Sequence, residues 1–568
     1  MNKENKEELA QKYLDFYHRA VDDMERQGIY DKIKLFDKYW QGKQREPRSE
    51  NDPCSNTNII HPTVEGQVAL LCEQNITVNA LPVSPSEVPF AERATQILEF
   101  VKNRNKMERV IEVHERRREK YGTGILRCVY DPDLLSGAGL PVIECVPNQN
   151  LLVDPCITDA LKLNEAEFII ERVVKSVFWA KQVYGEEVAS QIEENYFPYG
   201  ECDVFGEEDT DGENAKYLHL LVWTCDGGKL RLVEMSADGT ILSDSADKSE
   251  AFYATGKYPY FLTPLYTNEG TIWGMGDVEL LIPVQDLIND LDDQIRLNAA
   301  LTANPQRLVE TSSGIDLEFL TNEPGLNIPV NNINAVKDLE PASIPNYIVE
   351  RRNLALQYEG QRISRFSDQM LGNKQQGVDT ATESLALQQN GTQGIGFKKM
   401  LLQDTFSDVF SYALALVREF WTDEVEFRVS DDSSEFIHFN PAELQAIEHL
   451  TAPEGGETFL IDGVKLAEFD IVVSVGAGLP SNKAFQYNMF RELTQMGIIT
   501  PFEFRRWLVT GFGLPLDPQH PQEQQMQQMQ AQQSTVPQAV PMQQSAEIEG
   551  ISANGRPMPS QMQEGGMM

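Results

Sequence analysis

Three short stretches carry residue types that could do chemistry. Val475 to Lys483 (VGAGLPSNK) is glycine-rich. A loop of that kind cradles phosphate when backbone amides, a lysine and a hydroxyl converge, which requires Gly-Lys-Ser or Gly-Lys-Thr. Here Asn482 precedes Lys483 and Ala484 follows it, so the stretch reads as a strand-to-helix turn. Asp209, Asp211 and Glu213 offer the oxygen ligands that calcium takes. Their spacing departs from an EF-hand loop, and residues 182–215 hold eleven acids with no Lys or Arg, the pattern of a solvated helix and loop. His114, followed by Glu115, lacks the second histidine of a zinc-protease helix, and beside Arg116, Arg117 and Arg118 it reads as a surface histidine. No Gly-x-Ser-x-Gly elbow occurs. Among 87 Asp and Glu, acidic neighbours are too frequent for their spacing to indicate acid–base work. No catalytic residue, metal site or cofactor is expected, and the enzyme class left open is a metal-dependent hydrolase using the acidic clusters.

Charge bounds the partners. With 48 Lys and Arg against those 87 acids, the 568-residue chain carries a formal charge of −39. Tight nucleic-acid binding comes mainly from Lys and Arg neutralising phosphates, so a tight grip is excluded. A protein past which nucleic acid moves without sticking is not. The main basic stretch, 102–127, has nine Lys and Arg interrupted by four acids. It reads as a helix face that pairs with the acidic surface of a neighbouring subunit. The seven cysteines follow no CxxC or regular spacing, which predicts free, mostly buried thiols. The first residues lack a signal-peptide core and no window is long and apolar enough to span a membrane, so a soluble, cytoplasmically made protein is expected.

The elements that position these residues are helical and strand-like in turn, a mixed α+β chain. Leu9, Tyr13, Phe16, Ala20 and Met24 mark an opening amphipathic helix, and Ile33, Phe36 and Trp40 a second. After a loop at 44–58, Pro62 begins a helix carrying Val64, Val68 and Leu71. Residues 90–120 read as one long helix, and strand-like runs follow from Tyr121. From Asp277 to Ala303, Leu280, Val284, Leu287, Leu291 and Ile295 form a narrow seam on a helix of about 40 Å. That helix bears Asp277, Glu279, Asp286, Asp290, Asp292 and Asp293 against one cation, Arg296. Short β pieces fill 306–345, and a helix follows to 371. A polar segment, 372–384, leads into a helix over 383–421 with Leu402, Phe406, Val409, Ala413, Leu416 and Phe420 on one face. Gly391, Gly394 and Gly396 predict a kink or break in it. Strands return over 423–480, a helical pair closes the ordered part, and twelve Gln within 519–544 mark a low-complexity tail.

The segments NIIHPTVEGQVALL (58–71), YGTGILRCVYDPD (121–133), VPNQNLLVDPCITDA (146–160), WGMGDVELLIPVQDLINDL (273–291), DTATESLALQQ (379–389) and FDIVVSVGAGLPSNK (469–483), taken in order, resemble the portal protein of tailed double-stranded DNA bacteriophages. The resemblance implies a wing from 1–272 and 423–480, a first stem helix within 273–305, a clip at 306–345 and a second stem helix at 346–371. It also implies a tunnel loop at 372–384, a long kinked wing helix at 385–422, a helical crown at 481–514 and a disordered tail at 515–568. In that scheme Asn373, Lys374, Gln375 and Gln376 would meet DNA, and Asp286, Asp290 and Asp293 would face the channel. Arg351, Arg352, Arg362 and Arg365 would pair with the acidic stem helix. The family assembles as a dodecameric ring at one capsid vertex, the conduit for packaging and ejection, with no enzymatic activity of its own. The implied partners are the terminase large subunit, head-completion and tail adaptors, the major capsid protein, scaffold protein and double-stranded DNA, with no membrane. The implied location is the virion, after assembly in the host cytoplasm. A capsid or tail interaction protein that forms no ring is the other non-enzymatic alternative.

Overall fold

The computed structural model describes residues 3–47, 54–72, 76–83, 88–193, 196, 215–226, 228–248, 252–303, 307–310, 334, 336–338, 344–359, 381–421, 425–428, 436–439, 445–447, 464–466, 469–475, 491 and 493–497. The chain divides into two units, Met1–Ser481 and Asn482–Met568. The described part of the second unit is the end of a helix that stops at Gly497.

In the first unit, α1 (Lys3–Arg26) buries Tyr13, Phe16, Ala20 and Met24 as its periodicity demands. Next come α2 (Ile29–Gln41) and α3 (Ile60–Cys72), the latter burying Val64, Val68 and Leu71. The long helix expected over 90–120 is two: α4 (Val88–Arg104) and α5 (Met107–Tyr121). Lys106 between them is left-handed, and the Asn105 side chain turns away to hold the backbone at Pro141 and Ile143. A single straight helix could not make those two bonds.

Two antiparallel sheets form the centre. One orders β3 (Leu140–Cys145), β2 (Thr123–Asp131) and β9 (Tyr260–Pro264), with β2 in the middle. The other orders β4 (Leu151–Val153), β5 (Phe168–Ser176), β6 (Lys216–Asp226), β7 (Lys229–Ser236) and β8 (Ile241–Asp244). The helices α6 (Val177–Tyr184) and α7 (Glu186–Ala189) follow β5. β1 (Ile76–Pro82) pairs antiparallel with β12 (Phe469–Val475), from Ile76 opposite Val475 to Pro82 opposite Phe469, so the chain returns to its first strand after almost 400 residues. One apolar core joins α1, both sheets, α4, α5 and the long helix α10 (Ala381–Phe420).

That helix runs unbroken through its three glycines, contrary to the expected break. Each glycine costs about 1 kcal/mol relative to alanine, but Leu402, Phe406, Val409, Ala413 and Leu416 are buried further along and hold the helix, while Phe420 remains partly exposed. The acidic helix α8 spans Asp277–Ala303, and α9 (Asn346–Leu354) continues as one π-turn segment to Glu359. β10 (Arg307–Val309) pairs with β11 (Val336–Asp338) between them. The apolar seam of α8 is rotated from the expected one. Val278, Leu281, Val284, Ile288 and Leu291 are buried, whereas Leu280, Leu287 and Ile295 are half-buried. The buried face admits Gln285 and Asn289 because both side chains bind backbone of the segment before α3. Of the described cysteines only Cys128 is fully buried and Cys156 is exposed, so the thiols are less buried than expected.

Candidate functional site

The head of α8 is fixed by a contact that only glycine permits. Gly122 ends α5 with φ +84° and lies against Gly274 and Gly276. A Cβ on Gly274 would sit 2.5 Å from the Gly122 carbonyl oxygen, and one on Gly276 would sit 2.6 Å from that of Glu119. With no side chains between them the two backbones interlock: Leu265 N–H donates to Gly122 O at 2.8 Å, and Gly274 N–H to Thr123 Oγ1 at 2.8 Å. The α8 N-terminus is thereby pressed onto the end of α5.

This approach creates a buried charge cluster. Lys398 of α10 is 3% exposed. Its Nζ donates to both Glu119 oxygens at 2.7 Å, to Asp277 Oδ2 at 2.8 Å and to the Gln67 side-chain Oε1. Gln67 Nε2 and the Tyr266 hydroxyl donate to Asp277 at 3.0 Å each. Four helices, α3, α5, α8 and α10, thus meet at one ammonium. Burial drives the Glu119 carboxyl up to about 8 against the pull of Lys398, with Asp277 adding to the rise. Beside it, Arg118 pairs with Glu115 and donates to the Lys398 carbonyl at 3.2 Å. His114 Nδ1 lies 2.9 Å from Glu115 Oε1. His114 is fully buried rather than at the surface, because α5 is enclosed here and Gly124 leaves room for the ring. Burial pushes the imidazole below its ordinary value, although Glu115 opposes this. Burial also acts on Glu115, but Arg118 and His114 outweigh it and hold that carboxyl low.

Along α8 every acid has a donor within the chain. Lys32 lies 3.3 Å from Glu279. The Tyr39 hydroxyl donates to Asp286 at 2.8 Å, and burial followed by that bond lifts the phenol to about 12. Arg45 reaches Asp290 at 3.3 Å and Asp293 at 2.7 Å, and the Ser55 N–H donates to Asp293 at 2.7 Å. The Asp290 side chain stays 66% exposed while that of Asp293 is 15% exposed. Thr57 Oγ1 donates to Asp292 at 2.6 Å, and Arg352 of α9 pairs with the same carboxylate. Burial would raise Asp292, but Arg352 and Thr57 outweigh it and hold it low. Gln285 clamps the intervening strap, accepting from Ile59 N–H at 2.9 Å and donating to Thr57 O at 2.7 Å.

Of the sequence candidates, Asp286, Asp290 and Asp293 therefore face α2, Arg45 just after it and the strap 54–59, and Arg352 reaches α8 from α9 through Asp292. Arg351 sits half-buried on α9. Arg362, Arg365, Asn373, Lys374, Gln375 and Gln376 lie outside the described residues, as do Asp209, Asp211, Glu213 and 476–483. Among the described residues no group of three or more His, Cys, Asp or Glu could hold a metal ion, and no helix is long and apolar enough to cross a membrane. The basic stretch splits in two. Arg116, Arg118, Lys120 and Arg127 pair inside the chain with Glu65, Glu115, Asp37 and Glu171. Arg104, Lys106 and Arg109 remain exposed at the α4–α5 turn. Sequence reasoning missed Lys398 and Glu119. The one available signal was a lone lysine pair, Lys398 and Lys399, in an otherwise apolar and polar-neutral stretch from 385 to 403.

The family model described as Phage SU10 portal protein matches residues 135–452, more than half of the chain. That span takes in the five-stranded sheet, β3 and β9 of the three-stranded one, α8, the β10–β11 pair, α9 and α10. No curated protein matches the chain.

Proposed function

Because the chain belongs to the phage SU10 portal protein family, we propose that its copies close into a ring, as a dodecamer, at one capsid vertex. There the ring conducts DNA during packaging and ejection and carries terminase and tail adaptors on its two ends. The family match is the observation that carries this reading. The structure supplies physical support: α8 projects beyond its buried part, with Leu297 and Leu301 exposed near its end. A helix that leaves apolar side chains uncovered in one subunit gains cover from neighbours in a ring.

In this reading α8 and the helix beginning with α9 are the stem, the β10–β11 hairpin belongs to the clip, and the sheets with α10 are the wing. Asp290 is the best placed of the three candidate acids to face the channel, since its side chain stays largely exposed beside Arg45, whereas Asp286 is half-buried against Tyr39 and Asp293 is covered by Arg45 and the Ser55 N–H. Acids repeated around a ring repel phosphates and keep DNA from adhering. Lys398 and Asp277 make the wing helix and the stem one rigid joint. Residues 373–376 would touch passing DNA from the tunnel loop.

Negative-stain images and mass photometry of the full chain test the ring: closed particles with a central hole are expected, and a monomer at every concentration overturns the reading. Replacing 373–378 by small neutral residues is expected to alter packaging or genome retention with rings intact; unchanged packaging removes the tunnel-loop assignment.

A further inference from the structure

A cavity of about 960 Å³ opens along the outer edge of β9, between that strand, the turn at 158–164 and α10. Its described lining carries four acids, Asp159, Glu269, Asp404 and Asp408, against one cation, Lys257. All five are exposed, and Leu161 on the same wall is 90% exposed. Asp404 and Asp408 stand four residues apart on one helix face, where like charges repel. Burial raises the Asp408 carboxyl, Lys257 opposes this and Asp404 adds to it. The groove is thus short of positive charge.

The opposite edge of the same sheet has the complementary surplus. β3 and β9 flank β2 on its two sides. On the free edge of β3, Asn105 donates to Pro141 O and accepts from Ile143 N–H, both at 2.9 Å, and so anchors the α4–α5 turn. That turn presents Arg104, Lys106 and Arg109 to solvent, with Glu108 the one acid among them. A basic knob and an acidic groove on opposite edges of one sheet cannot meet within a subunit. They can meet between copies, and such a head-to-tail contact uses two different patches and closes into a ring when its rotation permits.

We propose that the groove beside β9 is the docking site for the α4–α5 turn of the next copy of this chain. The inference rests on the ring reading and names the surfaces that make the ring. Arg104 and Arg109 approach Asp404 and Asp408, and Leu161 is covered by the incoming turn. Three cations interrupted by an acid would track phosphates poorly, so a protein groove suits the turn better than a duplex does.

Charge exchange in the full-length chain tests it. Arg104→Glu with Arg109→Glu, or Asp404→Lys with Asp408→Lys, is expected to raise the concentration for half-maximal ring formation at least tenfold at low salt. All four substitutions together in one chain are expected to restore rings. Circular dichroism confirms that each variant folds. Where one does not, carbodiimide coupling of wild-type rings is read instead, with Lys106 joined to Asp404 or Asp408 of another copy as the expected product by mass spectrometry. Rings that persist in both pairs of variants, or coupling that never joins these residues, overturn the proposal while leaving the portal reading intact. Persistent rings with weakened binding of a fluorescent 30-base-pair duplex would reassign the turn to DNA. Failure of the wild-type chain to form any ring removes the portal reading itself.

Discussion

Lys398 and Asp277, 121 positions apart in the chain, are joined by a 2.8 Å hydrogen bond between two side chains almost wholly removed from solvent. One lies within the long helix, just before the residues that it buries in the core, and the other is the first residue of the acidic helix. Their contact, shared with Glu119 on α5, ties the long helix to the head of the acidic one.

Removing the ammonium leaves two carboxyl groups buried with no cation between them. Lys398→Met is expected to destabilise the fold by about 3–5 kcal/mol, the usual cost of breaking a buried pair from one side. Urea unfolding checks it, and adding Glu119→Gln and Asp277→Asn to the same chain is expected to recover part of the loss.

The raised Glu119 carboxyl gives stability a definite pH dependence. Its folded-state value, about 8, lies above the ordinary 4.5, so between these the unfolded chain releases a proton that the folded chain keeps. The contribution is full below pH 4.5, falls by up to ~1.4 kcal/mol per pH unit above it, and levels off beyond 8. Unfolding curves from pH 5 to 8 are expected to slope downward, and Glu119→Gln is expected to flatten that slope.

The strap before α3 depends on one amide. Gln285→Leu keeps the volume but removes the partners of Ile59 N–H and Thr57 O, which costs about 1–3 kcal/mol for each buried group left unmade. Hydrogen exchange at 55–60 is expected to quicken while the central sheets keep their protection.

Arg352 is the tie between α9 and α8. Arg352→Ala is expected to cost about 1–2 kcal/mol, in line with a partly exposed charged hydrogen bond, and to speed exchange across 346–354. It also lets the Asp292 carboxyl rise from its depressed value. The wild-type pair contributes fully above the ordinary carboxylate range and is lost as pH falls through the depressed value. The difference between variant and wild type is therefore expected to shrink below pH 4.

Gly274→Ala tests the backbone contact that seats α8. Its Cβ would meet a carbonyl that cannot swing away, so a loss of at least about 1–3 kcal/mol is expected. Thermal melts read it, and alanine at Gly396, where a Cβ would meet nothing within 4 Å, is the contrasting substitution that should leave the melt unchanged or raised.

Periodicity alone located α1, α2, α3, the strands from Tyr121, the span of α8 and the buried face of α10, because burial leaves a repeating mark in the residues of each element. Four quoted segments, 58–71, 121–133, 146–160 and 273–291, also proved to be neighbours: Gln67, Gly122, Asn148 and Gly274 all lie at or beside the head of α8, where Asn148 Nδ2 donates to Thr123 O at 2.7 Å. The break between α4 and α5 was illegible, since it depends on Asn105 finding β3. The rotation of α8 was equally hidden, since the strap that binds Gln285 and Asn289 lies more than 220 residues earlier. Sequence determined where most of the elements form and the sign of their charge. Tertiary structure decided which acids are spent on internal partners and which remain for others, because a carboxylate's role is set by the donors that folding brings to it.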